Sequence, residues 1–266
     1  MSRLTVLCVG DVVGRDGVEY LSGGRLRRVR DEYSAHLVIV NGENSAAYNG
    51  ISPDSANDLL DAGADVITGG NHTFRKKNIG DYLDLHENVI RPANYPGDVQ
   101  GNGYYIADCM GYRVLVMSLL GTVYLDALDN PFSVSENILR SLRGKYDISV
   151  IDFHAEATSE KICLAKYLDG KVSCVFGTHT HVQTADATVL RGGTGYITDL
   201  GMTGSMNGVL GVRTDCIIHK FTKHTPVQFE PAEGDVSAHG AVFTFDTDTG
   251  KCVEAKASCF GERFVI

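Results

Sequence analysis

Five short apolar runs in this chain each end in a polar group, and that repeated pairing limits the folds open to it. The runs are Leu4–Val9, leading into Gly10-Asp11; Leu37–Val40, into Asn41-Gly-Glu43-Asn44; and Asp65–Thr68, into Gly69-Gly-Asn71-His72. The last two are Ile148–Phe153, into His154-Ala-Glu156, and Val172–Phe176, into Gly177-Thr-His179-Thr-His181. Compact runs rich in Val and Ile fit strands buried on both faces. Helical stretches lie between them. One is expected from about Val18 with Leu21, Leu26, Val29 and Tyr33 roughly on one face, weakened at Gly23-Gly24. A second opens at Ser52-Pro53, an N-cap with proline in the first turn, and closes at Gly63. Others are expected over Ile79–Leu85 and from about Ser159 to Leu168. Strand and helix in alternation predict an α/β fold whose parallel strands present their carboxyl ends on one edge, where ligands bind.

Each polar group alone has an ordinary explanation: Asp11 as a helix cap, Asn71 as a strand terminator, His154 as a satisfied core histidine. Five such groups on one edge are better explained by a single site. Gly177 is read as a turn, after which an extended backbone would point His179 and His181 the same way. Asp, Glu, Asn and three or four His, with no thiolate, suit Mn, Fe, Zn or Co better than Ca. The donors outnumber what one tetrahedral ion uses, so two ions bridged by a carboxylate are expected.

The remainder is less regular. Arg91–Pro96 reads as an extended connector, Tyr104–Ala107 and Arg113–Leu119 as strands, and Asp126–Phe132 as a loop. Ser133-Val-Ser-Glu136 has capping-box spacing before a helix. Tyr196–Thr198, Cys216–Phe221 and Ala241–Phe245 read as strands, with Asp246–Gly250 as a hairpin turn. With no repeat or flexible linker, residues 1–266 are expected to form one domain, in which an inserted loop region can make a small cap. Tyr124, Asn130 and Phe132 are candidates to cover the site and stack on a base, or to pack an oligomer interface.

A formal net charge of -9 argues against a groove for an extended nucleic-acid duplex, though not against one nucleotide held by metal ions. No apolar run reaches the length of a membrane span. Met1–Arg3 leads directly into a strand, and the seven cysteines are scattered without C-x-x-C spacing. Reduced thiols and a cytoplasmic location are therefore expected.

Gly10-Asp11, Gly42-Glu43-Asn44, Gly70-Asn71-His72, His154 and Gly177-Thr-His-Thr-His181 together resemble the motif set of the calcineurin-like metallophosphoesterases. Gly10-Asp-Val-Val-Gly-Arg15, Asp152-Phe-His-Ala-Glu-Ala-Thr-Ser-Glu160 and Thr198-Asp-Leu-Gly-Met-Thr-Gly204 are similar to the YmdB-like bacterial branch. The resemblance implies a four-layer α/β sandwich with two central sheets flanked by helices. It implies two divalent or trivalent transition-metal ions, iron or manganese first and zinc as an alternative. Asp11 and His181 would bind one ion, Asn71, His154 and His179 the other, and Glu43 would bridge. His72 would stand beside the scissile phosphate as the catalytic residue. Two departures from the superfamily stand out. Val13 occupies the usual histidine of Asp-x-His, and Glu43 replaces the usual bridging aspartate. Asn44 is the candidate for the vacated position through its side-chain oxygen.

The implied activity is hydrolysis of phosphodiesters, 2′,3′-cyclic nucleotides in particular, by water activated at the metal pair, in a homo-oligomer. Two rival readings are a nucleotide phosphomonoesterase with the same centre and a non-catalytic nucleotide-binding regulator. The regulator would use Gly10-x-x-x-Gly14-x-x-Gly17 as a phosphate loop, although that spacing departs from G-x-G-x-x-G.

Overall fold

The structure is a computed structural model and describes residues 2–260. The chain begins β1 (Arg3–Val9), β2 (Asp11–Val12), α1 (Gly14–Leu21), α2 (Arg25–Glu32), β3 (Leu37–Asn41), α3 (Pro53–Ala62), β4 (Val66–Thr68), α4 (Ile79–Leu85) and β5 (Val89–Ile90). It continues through β6 (Tyr104–Cys109), β7 (Tyr112–Leu120), α5 (Pro131–Ser141), β8 (Ile148–His154), α6 (Thr158–Tyr167), β9 (Cys174–Thr178), β10 (Thr188–Val189) and β11 (Gly195–Ile197). Last come β12 (Met202–Ser205), α7 (Thr214–Lys223), β13 (Val236–Asp246) and β14 (Cys252–Phe260).

One sheet runs β2-β12-β13-β1-β3-β4-β5, with β14 also on β13; the other runs β10-β11-β9-β8-β7-β6. Alternating side chains give each sheet two apolar faces, and the buried residues divide accordingly. Leu7, Val9, Val38 and Val40 pack under α1 to α4 with Leu21, Leu59 and Leu83. Val6, Cys8 and Ile39 face Val116, Val150 and Phe176 of the other sheet. Leu115, Ile151 and Phe153 pack against Leu142, Leu164 and Leu168 around α5 and α6. Three apolar interlayers make a four-layer α/β sandwich, as expected.

β1, β3 and β4 run parallel in the first sheet, and β8, β9 and β11 in the second. Their carboxyl ends meet at one edge of the sandwich. Ser52 caps α3 and Gly63 ends it in the left-handed region (φ 118°), as the residues predicted.

Three expectations need correction. The helix expected from Val18 through Tyr33 is two helices, because Gly23 and Gly24 both take positive φ. The helix expected after Ser133 starts earlier, at Pro131, because the Asn130 side chain accepts from Phe132 N and Ser133 N. Cys216–Phe221, read as a strand, lies in α7. Asp215 in its first turn and Lys220 and Lys223 in its last match the helix dipole, and of its residues only Cys216 is buried. The seven cysteines carry free thiols. Among the described residues no helix is long and apolar enough to cross a membrane.

Candidate metal centre

The strand ends deliver their side chains by close backbone approaches. A Cβ on Gly10 would lie 2.0 Å from Gly201 O, and one on Gly177 1.8 Å from Thr198 O, so only glycine fits at either place. Gly177 is therefore not the turn expected of it. It lies within β9 and lets that strand pass β11 and the stem of Lys161. The two histidines beyond it do not share a direction by strand alternation, because both take positive φ, 99° at His179 and 64° at His181. Such backbone costs free energy outside glycine and must be held by its surroundings. His179 N donates to Asp11 Oδ2 at 3.0 Å. Thr180, between the histidines, donates to Asp199 Oδ2 from its N at 3.1 Å and its Oγ1 at 2.8 Å. The same oxygen takes the buried Lys161 Nζ at 2.7 Å, and Asp199 Oδ1 takes Gly201 N at 2.8 Å. Lys161 was not singled out from the sequence, and Asp199 entered only as part of the Thr198–Gly204 motif, without a role.

Asp11, Glu43 and His154 are fully buried, with donor atoms within 4.8 Å of one another. His181 Nε2 lies 3.7 Å from Asp11 Oδ1. On the other side, His154 Nε2 lies 2.9 Å from Asn71 Oδ1 and 3.0 Å from His179 Nδ1. Glu43 joins the two groups. Its Oε1 is 3.5 Å from His154 Nε2 and accepts from Asn44 Nδ2 at 2.6 Å, while Oε2 accepts from His72 N at 2.7 Å. Asn44 departs from expectation. Its amide nitrogen faces Glu43 and, at 3.4 Å, His181 Nε2, while the oxygen proposed as a ligand faces His72 Nδ1 at 2.9 Å. His72 Nδ1 also lies 3.1 Å from Glu43 Oε1.

The outer nitrogens of the three inward-facing histidines are all engaged. His154 Nδ1 pairs with Thr178 Oγ1 at 2.9 Å, His179 Nε2 with Glu156 at 2.9 Å, and His181 Nδ1 with Leu210 O at 3.2 Å. Protons placed on those outer nitrogens leave His154 Nε2, His179 Nδ1 and, once its second proton is displaced, His181 Nε2 as lone pairs toward the centre, the arrangement typical of metal-binding histidines. Behind His154, Thr178 Oγ1 donates to Asp152 Oδ1 at 2.7 Å, and Asn41 Nδ2 donates to Oδ2 at 2.9 Å.

Charge supports the same reading. Burial lowers His154 to about 4, so its ring is neutral. Burial would raise Asp11 and Glu43, but the histidines around them prevail and keep both carboxylates ionised. Burial would also lower His181, yet Asp11 beside it carries it up to about 9. Asp11 Oδ1 is buried and has no hydrogen-bond partner. A buried carboxylate oxygen left without a partner fits a cation. The residues present therefore fit a metal centre.

A cavity of about 510 Å³ opens onto Glu43, His72, His179 and His181. Its outer wall comes from residues the sequence reading did not select: Tyr48, Leu210, Val212, Phe229 and Pro231. Tyr124, Asn130 and Phe132 do not line it. Asn130 caps α5, Phe132 packs edge-on against Tyr167 with centroids 5.4 Å apart, and Tyr124 stands in solvent. Of the glycines in the proposed phosphate loop, Gly10 and Gly17 serve packing. Gly14 takes φ 64°, and a Cβ on Gly17 would lie 2.4 Å from Thr203 O of β12.

Comparison with known proteins agrees with the geometry. The profile of the YmdB-like protein family matches residues 7–257. The 2′,3′-cyclic-nucleotide 2′-phosphodiesterase of Bacillus subtilis (strain 168) is 41% identical over 251 residues, 94% of this chain and 95% of its own. A crystal structure of a protein from Thermus thermophilus, described as hypothetical, superposes with a TM-score of 0.89 at 36% identity, covering 98% of this chain and 100% of that one. A structure from Mycoplasma pneumoniae described as a novel phosphatase gives 0.91 at 32% identity, covering 97% and 94%.

Proposed function

The chain belongs to the YmdB-like family, and from that premise we propose that it is a metal-dependent phosphodiesterase acting on 2′,3′-cyclic nucleotides at a two-ion centre. The observation that carries this reading is the convergence of the Asp11, Glu43 and His154 donor atoms beside the inward-facing ring nitrogens of His179 and His181. In this reading Asp11 and His181 would hold one ion, Asn71, His154 and His179 the other, and Glu43 would be shared between them. Iron or manganese suits these oxygen and nitrogen donors, with zinc as the alternative. When bound, the ions supply Lewis acidity to the phosphoryl oxygens and acidify a water.

The chain's own groups do the rest. Glu43 and Asn44 fix the His72 ring through Nδ1. With Nδ1–H given to these acceptors, a second proton at Nε2 is the one available to a departing alkoxide, and the Glu43 carboxylate offsets the ring's charge. Free thiols throughout suit a cytoplasmic enzyme. The apolar residues Ile218 and Phe221 exposed on α7 offer a surface to a second copy in a homo-oligomer.

Elemental analysis of protein purified without chelators, paired with turnover measurements, tests the reading. Two ions per chain are expected, with bis-p-nitrophenyl phosphate and 2′,3′-cyclic AMP hydrolysed faster than p-nitrophenyl phosphate. A preference for the monoester makes the protein a phosphomonoesterase. A metal-saturated protein that turns over neither class makes it a nucleotide-binding regulator.

A further inference from the structure

The outer wall of the cavity carries two aromatic side chains that nothing in the fold requires to be where they are. Tyr48 is 67% exposed and takes φ 71°, a conformation and an exposure that both cost free energy for an aromatic residue. Its turn is nonetheless built firmly. Ala46 N donates to Gly50 O at 2.8 Å, and Lys76 Nζ donates to Ala47 O at 2.7 Å. Phe229 is 45% exposed, on a segment laid along the stretch before α7. Arg213 N donates to Glu230 O and Ala232 N to Gly211 O, each at 2.9 Å. That stretch includes Leu210, whose carbonyl accepts from His181 Nδ1. The apolar wall is thereby tied by backbone to a side chain of the metal centre.

The charges beside the wall say what it can face. Arg213 is committed to Asp215 and Glu230, and among the described residues no Lys or Arg lines the cavity. Glu156 and Glu230 also line the cavity, so its charged side chains outside the metal centre are acidic and offer nothing to a polyanionic tail. What remains is flat, aromatic and aliphatic surface at one end and cation-binding groups at the other. We infer that Tyr48 and Phe229 hold the nucleobase of a nucleoside monophosphate whose phosphate lies at the metal centre. The inference rests on the proposed nucleotide phosphodiesterase reading and extends it by assigning the residues that distinguish a nucleotide from a bare sugar phosphate.

Isothermal titration of the Mn²⁺-loaded full chain with 3′-AMP and with ribose 3-phosphate tests it. The wild type should bind 3′-AMP more tightly. Tyr48→Ala and Phe229→Ala should each weaken 3′-AMP by about 5- to 100-fold while leaving ribose 3-phosphate within about twofold, the size expected for loss of one base-stacking side chain. Tyr48→Phe, which keeps the ring, should retain the wild-type difference. Equal loss for both ligands in the alanine variants, or no difference in the wild type, overturns the assignment. Turnover of bis-p-nitrophenyl phosphate is measured on the same samples. A retained base preference without any turnover would sink the hydrolase reading and leave the base clamp standing.

Discussion

His179 Nδ1 stands 3.0 Å from His154 Nε2, while the opposite nitrogen of each ring is already held, by Glu156 and by Thr178. With the outer nitrogens acting as donors, the two facing nitrogens present lone pairs to each other at that distance. The arrangement is unfavourable unless a cation or a proton lies between them. Burial opposes a proton on His154, and a metal ion would satisfy both facing nitrogens at once.

The tightness of this centre makes Gly70 a sensitive position. A Cβ there would lie 2.6 Å from both Glu43 Oε2 and His154 Nε2, side chains that are fully buried and have nowhere to retreat. Gly70→Ala should lower metal affinity by at least ~10-fold, as loss of an orienting contact does. Chelator competition measures this, with denaturant unfolding of the metal-free protein as the check on folding. An unchanged affinity would mean that Glu43 and His154 do not both hold metal.

Lys161→Met should destabilise the protein by about 3–5 kcal/mol, because it leaves the buried Asp199 carboxylate without its cation. Urea unfolding of the metal-free chain reads this directly. Asp199→Asn added to the same chain should recover part of the loss. Since Asp199 also holds Thr180, the single variant should bind metal more weakly even at temperatures where it is folded. A variant as stable as the wild type would show that the pair is solvated in solution.

Stability and metal binding should respond to pH in opposite directions. His181 in the folded chain titrates at about 9, against an ordinary 6.5, because Asp11 outweighs the effect of burial. The folded state therefore keeps a proton that the unfolded chain loses. This contribution is complete below about pH 6.5 and disappears as pH rises through about 9. Asp152, pushed up to about 7 by burial, adds to the fall below that pH. The metal-free protein should lose about 2–3 kcal/mol across this window. Loading displaces the His181 proton, so apparent metal affinity should rise by up to about tenfold per pH unit over the same range. Urea midpoints and chelator competition from neutral to alkaline pH test both trends, and His181→Gln should flatten them. Metal-free stability that climbs between neutral pH and pH 9 would contradict the pairing with Asp11.

His72→Ala should lower kcat by ~10²–10⁴ with metal content nearly intact, since the ring acts on the leaving group rather than as a ligand. The loss should shrink for p-nitrophenolate, which departs without a proton. Loss of a metal ion in this variant would make His72 a ligand instead. An equal loss for good and poor leaving groups would assign it to the phosphoryl oxygens.

The strand ends were legible in the sequence because each is a local signal, an apolar run followed at once by a polar group. Ser52-Pro53 and Gly63 were legible for the same reason. The conformations of His179 and His181 were not, because they are set by Asp11 and Asp199, distant in the chain. The cavity wall was missed because Tyr48, Leu210 and Phe229 lie in irregular stretches without periodicity. Cys216–Phe221 misled because its short apolar content suits a strand or a helix equally. Asp215, Lys220 and Lys223, which decide for the helix, lie at the margins or outside that window.

Asp11, Glu43 and Asn71 follow strands of one sheet, and His154, His179 and His181 end or follow strands of the other. The contact between His179 N and Asp11 spans 168 residues of sequence. The centre thus straddles the seam of the sandwich and cannot exist in either half alone. Closing so long a loop is entropically slow, and its reward arrives only when both sheets have formed and docked in register. Acquisition of metal should therefore be among the last events of folding. An ion once captured acts as a cross-link between the halves, slowing their separation and raising amide-exchange protection at both strand edges together.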